Sequence, residues 1–470
     1  MVIKNSSDYN KTMSKKIIND LKKILDKNSL LTEIEDIYSY SHDCNCNISK
    51  NEYPIAIALP STIKEVQAIV KVCHQYKTPV IARGAGTNHV GGCVAKKGGV
   101  LIHFSKMNKI LNISKENLNA IVQPGAIVGD IQDEAEKLGL FYPPDPSNLR
   151  VSTIGGALAL SSGGPRGLKY GTAKDYILNL KVVLADGTLI TTANNCSKSV
   201  AGYNFTQLFV GSEGTLGIIV EATLKLIPKP KTNNILLAYF DTIEDASIGV
   251  NKILEAGIIP SVIDLLDKFT LETIEDFIPT GLDTTKSAML FIELDGDEIS
   301  IKKDEEKILD TLKNAKLVQI KTEEEKQKFW TARRASFGAT AKLKGNVITE
   351  DVVVPRTNIP RLITGIKEIL KRNNLIACIM GHAGDGNIHP NFALDFSDKD
   401  EMQRFEKAKS ELFELAISLD GTISGEHGIG FEKAKYMEKA IDKNVIIWSK
   451  KLKKIFDEHN ILNPQKIYID

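Results

Sequence analysis

The sequence predicts an α+β protein of more than one domain, on three observations. The chain has 470 residues, and domains run to roughly 100–200 residues, so two or three are expected. Glycine-rich turns break up its first half, which ends at the charged, proline-bearing stretch Pro228-Lys229-Pro230-Lys231, read as a domain boundary. The second half runs strand, helix, strand twice over without such turns, which predicts an antiparallel sheet with helices on one face.

Composition narrows the class. A net charge of +1 argues against nucleic acid as the main partner. Lys450 to Lys454 read as a solvated helix face. Of six cysteines (Cys44, Cys46, Cys73, Cys93, Cys196 and Cys378) only Cys44 and Cys46 are close, and there is no CxxC. That is too sparse for an iron–sulfur cluster and does not resemble a disulfide framework. Reduced thiols and a cytoplasmic protein are expected. Met1 to Lys22 is polar and Lys-rich, with no apolar core of a signal peptide. No run is apolar and long enough to span a bilayer.

The elements follow in order. Ser14 to Leu31 has helical apolar spacing, and loop continues through Cys44. Pro54 to Pro60 reads as a short buried strand. Ser61 or Thr62, with Glu65, starts a helix to Tyr76. Strand Pro79 to Ala82 leads into Arg83-Gly84-Ala85-Gly86-Thr87-Asn88. This loop is neither a Rossmann fingerprint, since His89 stands at the last glycine position, nor a Walker loop. It is either an anion nest for a pyrophosphate or a plain tight turn. Val122 to Gly125 is a strand ending in a turn, and helix Val128 to Leu138 follows. The extended run Tyr142 to Ser147 then precedes Ser152 to Ala157 and Gly163 to Gly171. So many glycines beside small residues let the backbone lie against a large flat ligand. Leu180 to Thr192 is a hairpin on Asp186-Gly187, and Gly211 to Ile219 runs into a strand.

In the second half, strands are expected at Ile235–Tyr239, Pro260–Leu265, Ala288–Leu294, Leu317–Ile320 and Val352–Val354. Helices are expected at Ile243–Ala256, Ile301–Asn314, Ile359–Lys371, Glu401–Leu419 and Val445–His459, with one more bearing Trp330 to Arg334. Between the predicted strands Leu375–Met380 and Phe392–Leu394 lies a glycine-rich loop with His382 and His389. Gly425-Glu426-His427-Gly428 comes later. Two His and one Glu form a ligand set for zinc or a similar ion with an open position, and His427 beside it suits a base. Either histidine alone reads rather as a hydrogen-bonded residue of a glycine-rich turn. Three of only eight histidines in these two segments favours a site. Arg333 reads either as a fork for a carboxylate or as a surface residue of a charged helix.

Arg83 to Asn88, the Pro144 to Ser147 run, Thr153 to Gly156, Lys169-Tyr170-Gly171 and Gly211 to Ile218 together resemble the FAD domain of the vanillyl-alcohol oxidase superfamily. Within it the chain is similar to the branch of glycolate oxidase flavin subunits and D-lactate dehydrogenases, from the region of Glu35 to the C-terminus. The resemblance implies a PCMH-type FAD-binding domain of two α+β subdomains, an α+β cap with an antiparallel sheet, and a helical C-terminal return. The corresponding divisions are an N-terminal helical segment (1–50), the FAD domain (51–230), the cap (231–430) and the return (431–470). The resemblance also implies FAD contacts at Arg83, Gly84, Ala85, Gly86, Thr87, Asn88, Pro144, Asp145, Ser147, Thr153, Gly155, Gly156, Gly163, Tyr170, Glu213, Gly217, Ile218 and Asn463. Thr87 stands where some members carry a flavin-linking His, so the FAD is expected to be noncovalent. The family commonly has Asn at Ala157 and Ser161, so polar contacts there are not carried over.

The family places metal ligands at His382, His389 and Glu426, substrate contacts at Arg333 and Asn391, and the base at His427. Phe337 and Thr349 replace a Thr and a Lys that serve a second acid group, so a small substrate is expected. The implied reaction is oxidation of a D-2-hydroxy acid, D-lactate or glycolate, to the 2-oxo acid. The hydroxyl proton goes to His427 and hydride to flavin N5, aided by one divalent Zn, Mn or Fe. The implied partner is an electron-acceptor protein, an electron-transfer flavoprotein or an iron–sulfur subunit, with a quinone path also open. The alternatives are a non-catalytic FAD subunit of an electron-transfer complex and a redox-neutral transferase of the same fold.

Overall fold

In the computed structural model, which describes residues 6–44 and 52–468, the chain builds three main sheets in succession. The first unit comprises α1 (Ser6–Leu21), β1 (Leu30–Leu31), α2 (Ile34–Tyr40), β2 (Ala56–Ala58), α3 (Ile63–Gln75), β3 (Val80–Arg83) and β4 (Val100–His103). Its sheet runs β1-β2-β4-β3, with β4 parallel to both β2 and β3. Thr62 and Glu65 close a capping box at the start of α3, as their spacing predicts. α1 stops ten residues short of the predicted Leu31. The Asp26 carboxylate accepts from Asn28 N and Ser29 Oγ, and such local bonds compete with helix. The stretch expected as loop holds the helix α2. Of the Cys44–Cys46 pair, Cys46 lies outside the described residues, as do residues 45–50 of the N-terminal segment.

The second unit comprises β5 (Ile110–Ser114), β6 (Asn119–Val122), α4 (Val128–Lys137), β7 (Leu140–Phe141), α5 (Ile154–Leu160), α6 (Gly167–Tyr170), β8 (Ile177–Val183), β9 (Leu189–Thr191), α7 (Phe205–Phe209), β10 (Ile218–Lys225) and β11 (Ile227–Pro228). Its sheet, β5-β6-β10-β8-β9, is antiparallel throughout. β8 and β9 turn on Asp186-Gly187 as predicted, with Gly187 at φ 82°. The Pro228–Lys231 boundary is not a loose tether. β11 pairs with β7, and Lys229 meets Glu136 at 2.7 Å.

The third unit comprises β12 (Thr232–Phe240), α8 (Ile243–Glu255), β13 (Val262–Asp267), α9 (Lys268–Phe277), β14 (Ala288–Gly296), α10 (Glu298–Thr311), β15 (Lys316–Ile320), α11 (Glu323–Arg334), α12 (Ser336–Lys344), β16 (Asn346–Thr349), β17 (Val352–Val353), α13 (Ile359–Asn373), β18 (Ile376–His382), β19 (Asn387–Leu394) and α14 (Lys399–Ser418). The antiparallel sheet runs β15-β12-β14-β13-β18-β19-β16, with β17 also on β19. Helices cover both of its faces, not the one expected. Leu236, Ile263 and Leu290 pack with α8, α13 and α14, whereas Leu237, Leu266 and Phe291 pack with α9, α11 and α12. The strands carry nearly continuous apolar runs, the pattern of a sheet buried on both sides.

α15 (Met437–Ala440) and α16 (Lys443–Phe456) then return to the first two units. The tail joins the first sheet beside β3, where Val80 N donates to Ile461 O at 2.7 Å and Asn463 N to Val80 O at 2.9 Å. Lys453 is not simply solvated, since its Nζ donates to Thr215 O and Leu462 O, both at 2.8 Å.

Candidate active site

A cleft of about 500 Å³ opens between the first two units and the edge of the third. The loop after β3 lines one wall, and Ser147, Thr153, Gly155 and Gly156 line another. The backbones meet closely, so that a Cβ on Gly84 would lie 2.0 Å from Thr153 Oγ1. Glu213 and Gly217 complete the wall. Four buried polar atoms at this cleft have no hydrogen-bond partner among the described residues: Arg83 Nε, Ser152 Oγ and His427 Nδ1 in its lining and, on the tail behind it, Asn463 Oδ1. Asn463 Nδ2 donates to Gly92 O and Glu213 O, residues of the cleft wall. A flat, extended ligand with polar groups, such as FAD, fits these walls.

At one end of the cleft lie Glu426 and His427. Here the expected two-histidine loop proves to be mostly strand. His382 ends β18, His389 lies within β19, and only residues 383–386 turn between them. Residues two apart share a sheet face, so His389 and Asn391 point to one side. That side is the one covered by α11, which the one-face expectation omitted and which delivers Arg333. Asp264 stands directly across from His382 in the β13–β18 register. Its Oδ1 lies 2.7 Å from His382 Nδ1, and its Oδ2 accepts from Arg333 Nε at 2.5 Å.

Glu426 Oε1 lies 3.6 Å from His382 Nε2, 3.4 Å from His389 Nε2 and 3.9 Å from His427 Nε2. Two ligands each about 2.1 Å from a tetrahedral ion lie about 3.4 Å apart, so His382, His389 and Glu426 fit one divalent ion. A second triple, Asp351, His389 and His427, shares a histidine with it. Its carboxylate is already engaged. Asp351 Oδ2 accepts from Ser424 Oγ and from the backbone N–H groups of Gly425, Glu426 and His427 at 2.7–3.0 Å, and Oδ1 accepts from Asn387 Nδ2. Asp351 therefore shapes the loop that presents Glu426 and His427. Glu213 does the same one turn later, accepting from Ile429 N and Gly430 N. His427 stacks between His89 and His389, with ring centroids 5.1 and 5.2 Å away.

Burial and charge set the protonation states. Burial opposes ionisation of Glu426, but the hydrogen bond and charge of His382 outweigh it and hold the carboxyl at about 2. Burial likewise disfavours a charged His382, yet Asp264 and Glu426 together raise it to about 10. Burial keeps His427 neutral, down to about 3, and lowers His389 as well. Asp351 is held well below the carboxylate range because His427, Lys433 and His389 outweigh its burial.

Of the residues expected at the cofactor, Arg83 to Asn88, Ser147, Thr153, Gly155, Gly156, Glu213 and Gly217 line the cleft, with Asn463 behind it. Pro144, Asp145, Gly163, Tyr170 and Ile218 do not line it. Asp145 pairs with Arg166 at 3.0 Å, the Tyr170 hydroxyl donates to Asp295, and Ile218 points into the core under β10. A Cβ on Gly163 would stand 2.9 Å from Glu426 Oε2, so this glycine borders the histidine cluster instead. Sequence reasoning missed Asp264, Asp351, His89 and Arg334. The signal for Asp264 was a lone carboxylate within an apolar strand, and for Asp351 a carboxylate pair with Glu350 just before one, since a buried charge needs partners.

Residues 54–193 match the family model described as FAD binding domain, and residues 229–467 the one described as FAD linked oxidases, C-terminal domain. The chain is 45% identical to glycolate oxidase subunit GlcD of Bacillus subtilis, covering 91% of this chain and 92% of that protein. It is 33% identical to a D-lactate dehydrogenase of Anaerostipes hadrus, over 98% of both chains. Among solved structures, p-cresol methylhydroxylase with substrate bound superposes with a TM-score of 0.81 at 18% identity, over 98% of this chain and 97% of that one. Alkyldihydroxyacetonephosphate synthase follows at 0.76 and 20%, over 96% and 86%. These two likenesses establish the shared fold.

Proposed function

The chain belongs to the FAD-linked oxidases, and from that premise we propose that it oxidises a small D-2-hydroxy acid, D-lactate or glycolate, to the 2-oxo acid. The observation that carries this reading is the convergence of His382, His389 and Glu426 beside a neutral His427 at the end of the glycine-walled cleft. On this reading residues 51–230 hold the flavin, 231–430 supply the metal and substrate groups, and 431–470 close the cleft. When bound, FAD supplies the hydride acceptor, and a divalent ion on His382, His389 and Glu426 supplies Lewis acidity toward the substrate hydroxyl.

The chain's own groups do the rest. Arg333 commits its Nε to Asp264, while its two Nη groups make only 3.4 Å contacts, to Ser147 Oγ and His382 Nδ1. They are left to bind a carboxylate as a fork. Thr349 Oγ1 donates to Asn391 Oδ1 at 2.7 Å, which engages the amide oxygen and leaves the Asn391 N–H groups as the donors for a substrate. His427 Nε2, on the side of Glu426, takes the hydroxyl proton. Its backbone is fixed by Asp351 at His427 N and by Asn88 Nδ2 at His427 O, so the base is held in place. His382 must give up the proton that Asp264 and Glu426 hold on it before it can serve as a ligand. Phe337 borders the cleft and offers no polar group for a second acid group, while Arg334, also in the lining, stacks on Trp330 at 4.9 Å. The electrons pass on to a protein acceptor, an electron-transfer flavoprotein or an iron–sulfur subunit. Among the described residues no helix is long and apolar enough to cross a membrane.

Anaerobic mixing of the FAD-loaded protein with D-lactate, L-lactate and glycolate tests the reading. Bleaching of the flavin by D-lactate or glycolate, and not by L-lactate, is expected. A flavin left oxidised by every 2-hydroxy acid overturns it.

A further inference from the structure

Outside the cleft, a second group of metal-ligating side chains forms where the C-terminal tail meets α3. His74 lies in the last turn of α3, and Glu458 and His459 lie just after α16. The two imidazole rings stand 5.0 Å apart, tilted by 36°. Glu458 Oε1 lies 3.2 Å from His459 Nε2. One ligand atom from each of the three residues falls within 4.8 Å of the other two. Adjacent residues converge in this way because the turn is fixed. The Asp457 carboxylate accepts from Ile461 N at 2.9 Å and Leu462 N at 2.7 Å, and Asn460 sits at φ 50°. An independent observation points to a ligand: His74 Nδ1 is buried and has no hydrogen-bond partner among the described residues. Gln67 Nε2 donates to Gly187 O at 2.9 Å, which holds the β8–β9 turn on α3 and brings Asp186 within electrostatic reach of His74.

We propose that His74, Glu458 and His459 form a second divalent-cation site, suited to Zn²⁺, that staples the tail to α3. Two imidazoles and one carboxylate are borderline ligands that favour zinc over magnesium or calcium. The site is partly open, with Glu458 68% and His459 25% exposed, so water completes the coordination. The staple acts on the flavin cleft from outside. α3 leads into β3 and the Arg83–Asn88 loop, and the tail carries Asn463 to the cleft wall. A cation bound only when the tail is docked shifts the equilibrium toward the docked state.

The test uses Zn²⁺ alone on the FAD-loaded full chain carrying His382→Ala together with His389→Ala, so that both cleft triples lose a ligand. The zinc retained and the apparent melting temperature are measured in this background, with and without His74→Ala or Glu458→Gln. Free zinc at 100 times its Kd favours the folded state by about 100-fold, so a clear rise in melting temperature is expected in the His382→Ala, His389→Ala background. Both added substitutions are expected to remove the bound zinc and that rise. Glu458 is exposed, so its variant folds even if His74→Ala does not. Zinc that binds equally in the Glu458→Gln variant, or no zinc bound in the His382→Ala, His389→Ala background, overturns the proposal. In protein with His382 and His389 intact, loss of zinc-dependent flavin reduction leaves the second site unaffected, so the two sites fail separately.

Discussion

Replacing Asp264 by Asn removes one negative charge without changing shape. That charge is fully buried, and it serves Arg333 Nε at 2.5 Å and His382 Nδ1 at 2.7 Å. Burial alone would raise the Asp264 carboxyl, yet Arg333 and His382 pull it down from 3.8 to about 2, which corresponds to about 2 kcal/mol in favour of the charged form. Asparagine also leaves the Arg333 guanidinium, 5% exposed, without a counter-charge. Breaking a buried pair from one side costs about 3–5 kcal/mol. Because the folded carboxyl is depressed, its stabilisation is present above about pH 4 and lost as pH falls toward 2. The gap in stability between parent and variant therefore narrows below pH 4. At neutral pH, Asp264→Asn is expected to lose metal to a chelator at roughly 10- to 100-fold lower concentration, as partners behind metal ligands generally do. Its KM rises because the Arg333 fork is no longer aimed. Flavin content does not change, since Asp264 does not line the cleft. Elemental analysis after dialysis and steady-state kinetics with a dye acceptor read these effects. A variant with parental metal retention and parental KM refutes the reasoning.

The remaining predictions concern single residues. Arg333→Lys keeps the charge but not the fork, so KM rises by about 10- to 100-fold for the loss of about 1.5–3 kcal/mol; an unchanged KM places the carboxylate elsewhere. His382→Ala yields metal-poor protein that keeps its flavin, whereas His427→Asn keeps both and reduces the flavin about 100- to 10,000-fold more slowly. Metal lost from His427→Asn means that ligand and base have been exchanged. Acid precipitation releases the FAD into the supernatant, because Thr87 offers no linking imidazole; flavin fluorescence that stays with the denatured protein contradicts this. Asp351→Asn removes the charge and turns one of two accepting oxygens into an N–H, which then faces donors of either the Ser424 to His427 loop or Asn387; flavin reduction is lost, with a stability loss of roughly 3–5 kcal/mol read from denaturant midpoints.

Much of the fold was legible because local chemistry agreed with tertiary demand. Thr62 and Glu65 cap α3, Asp186-Gly187 turns β8 into β9, and the strands of the third unit are strongly apolar. Where expectation failed, a competing local bond or an ambiguous pattern was at work. Asp26 ends α1 through its own side chain although the apolar spacing runs on to Leu31. α12 contains Gly338 and Thr340, which depress helix propensity, and is held by packing of Ala339 instead. The one-sided sheet was inferred from strand order. The fully apolar run Ile235 to Phe240 already carried the opposite signal, since a strand with one wet face alternates.

The site was legible only in part, for a related reason. His382, His389, Glu426 and His427 stand out because rare residue types cluster among glycines. Glycine is needed there, since a Cβ on Gly425 would stand 1.9 Å from Asn387 Nδ2. Asp264 sits in Val262-Ile263-Asp264-Leu265-Leu266, where every neighbour argues for core, and its partners lie 69 and 118 residues away. No spacing rule reaches across that distance. What the sequence does contain is a contradiction: a carboxylate in a strand with no dry, uncharged way to be buried. The same contradiction marks Asp351 before β17, also fully buried. One aspartate aims the ligand and the fork, and the other aims the base. A charge that breaks an apolar run without a neighbour to neutralise it therefore points to whatever distant group the fold must bring to it.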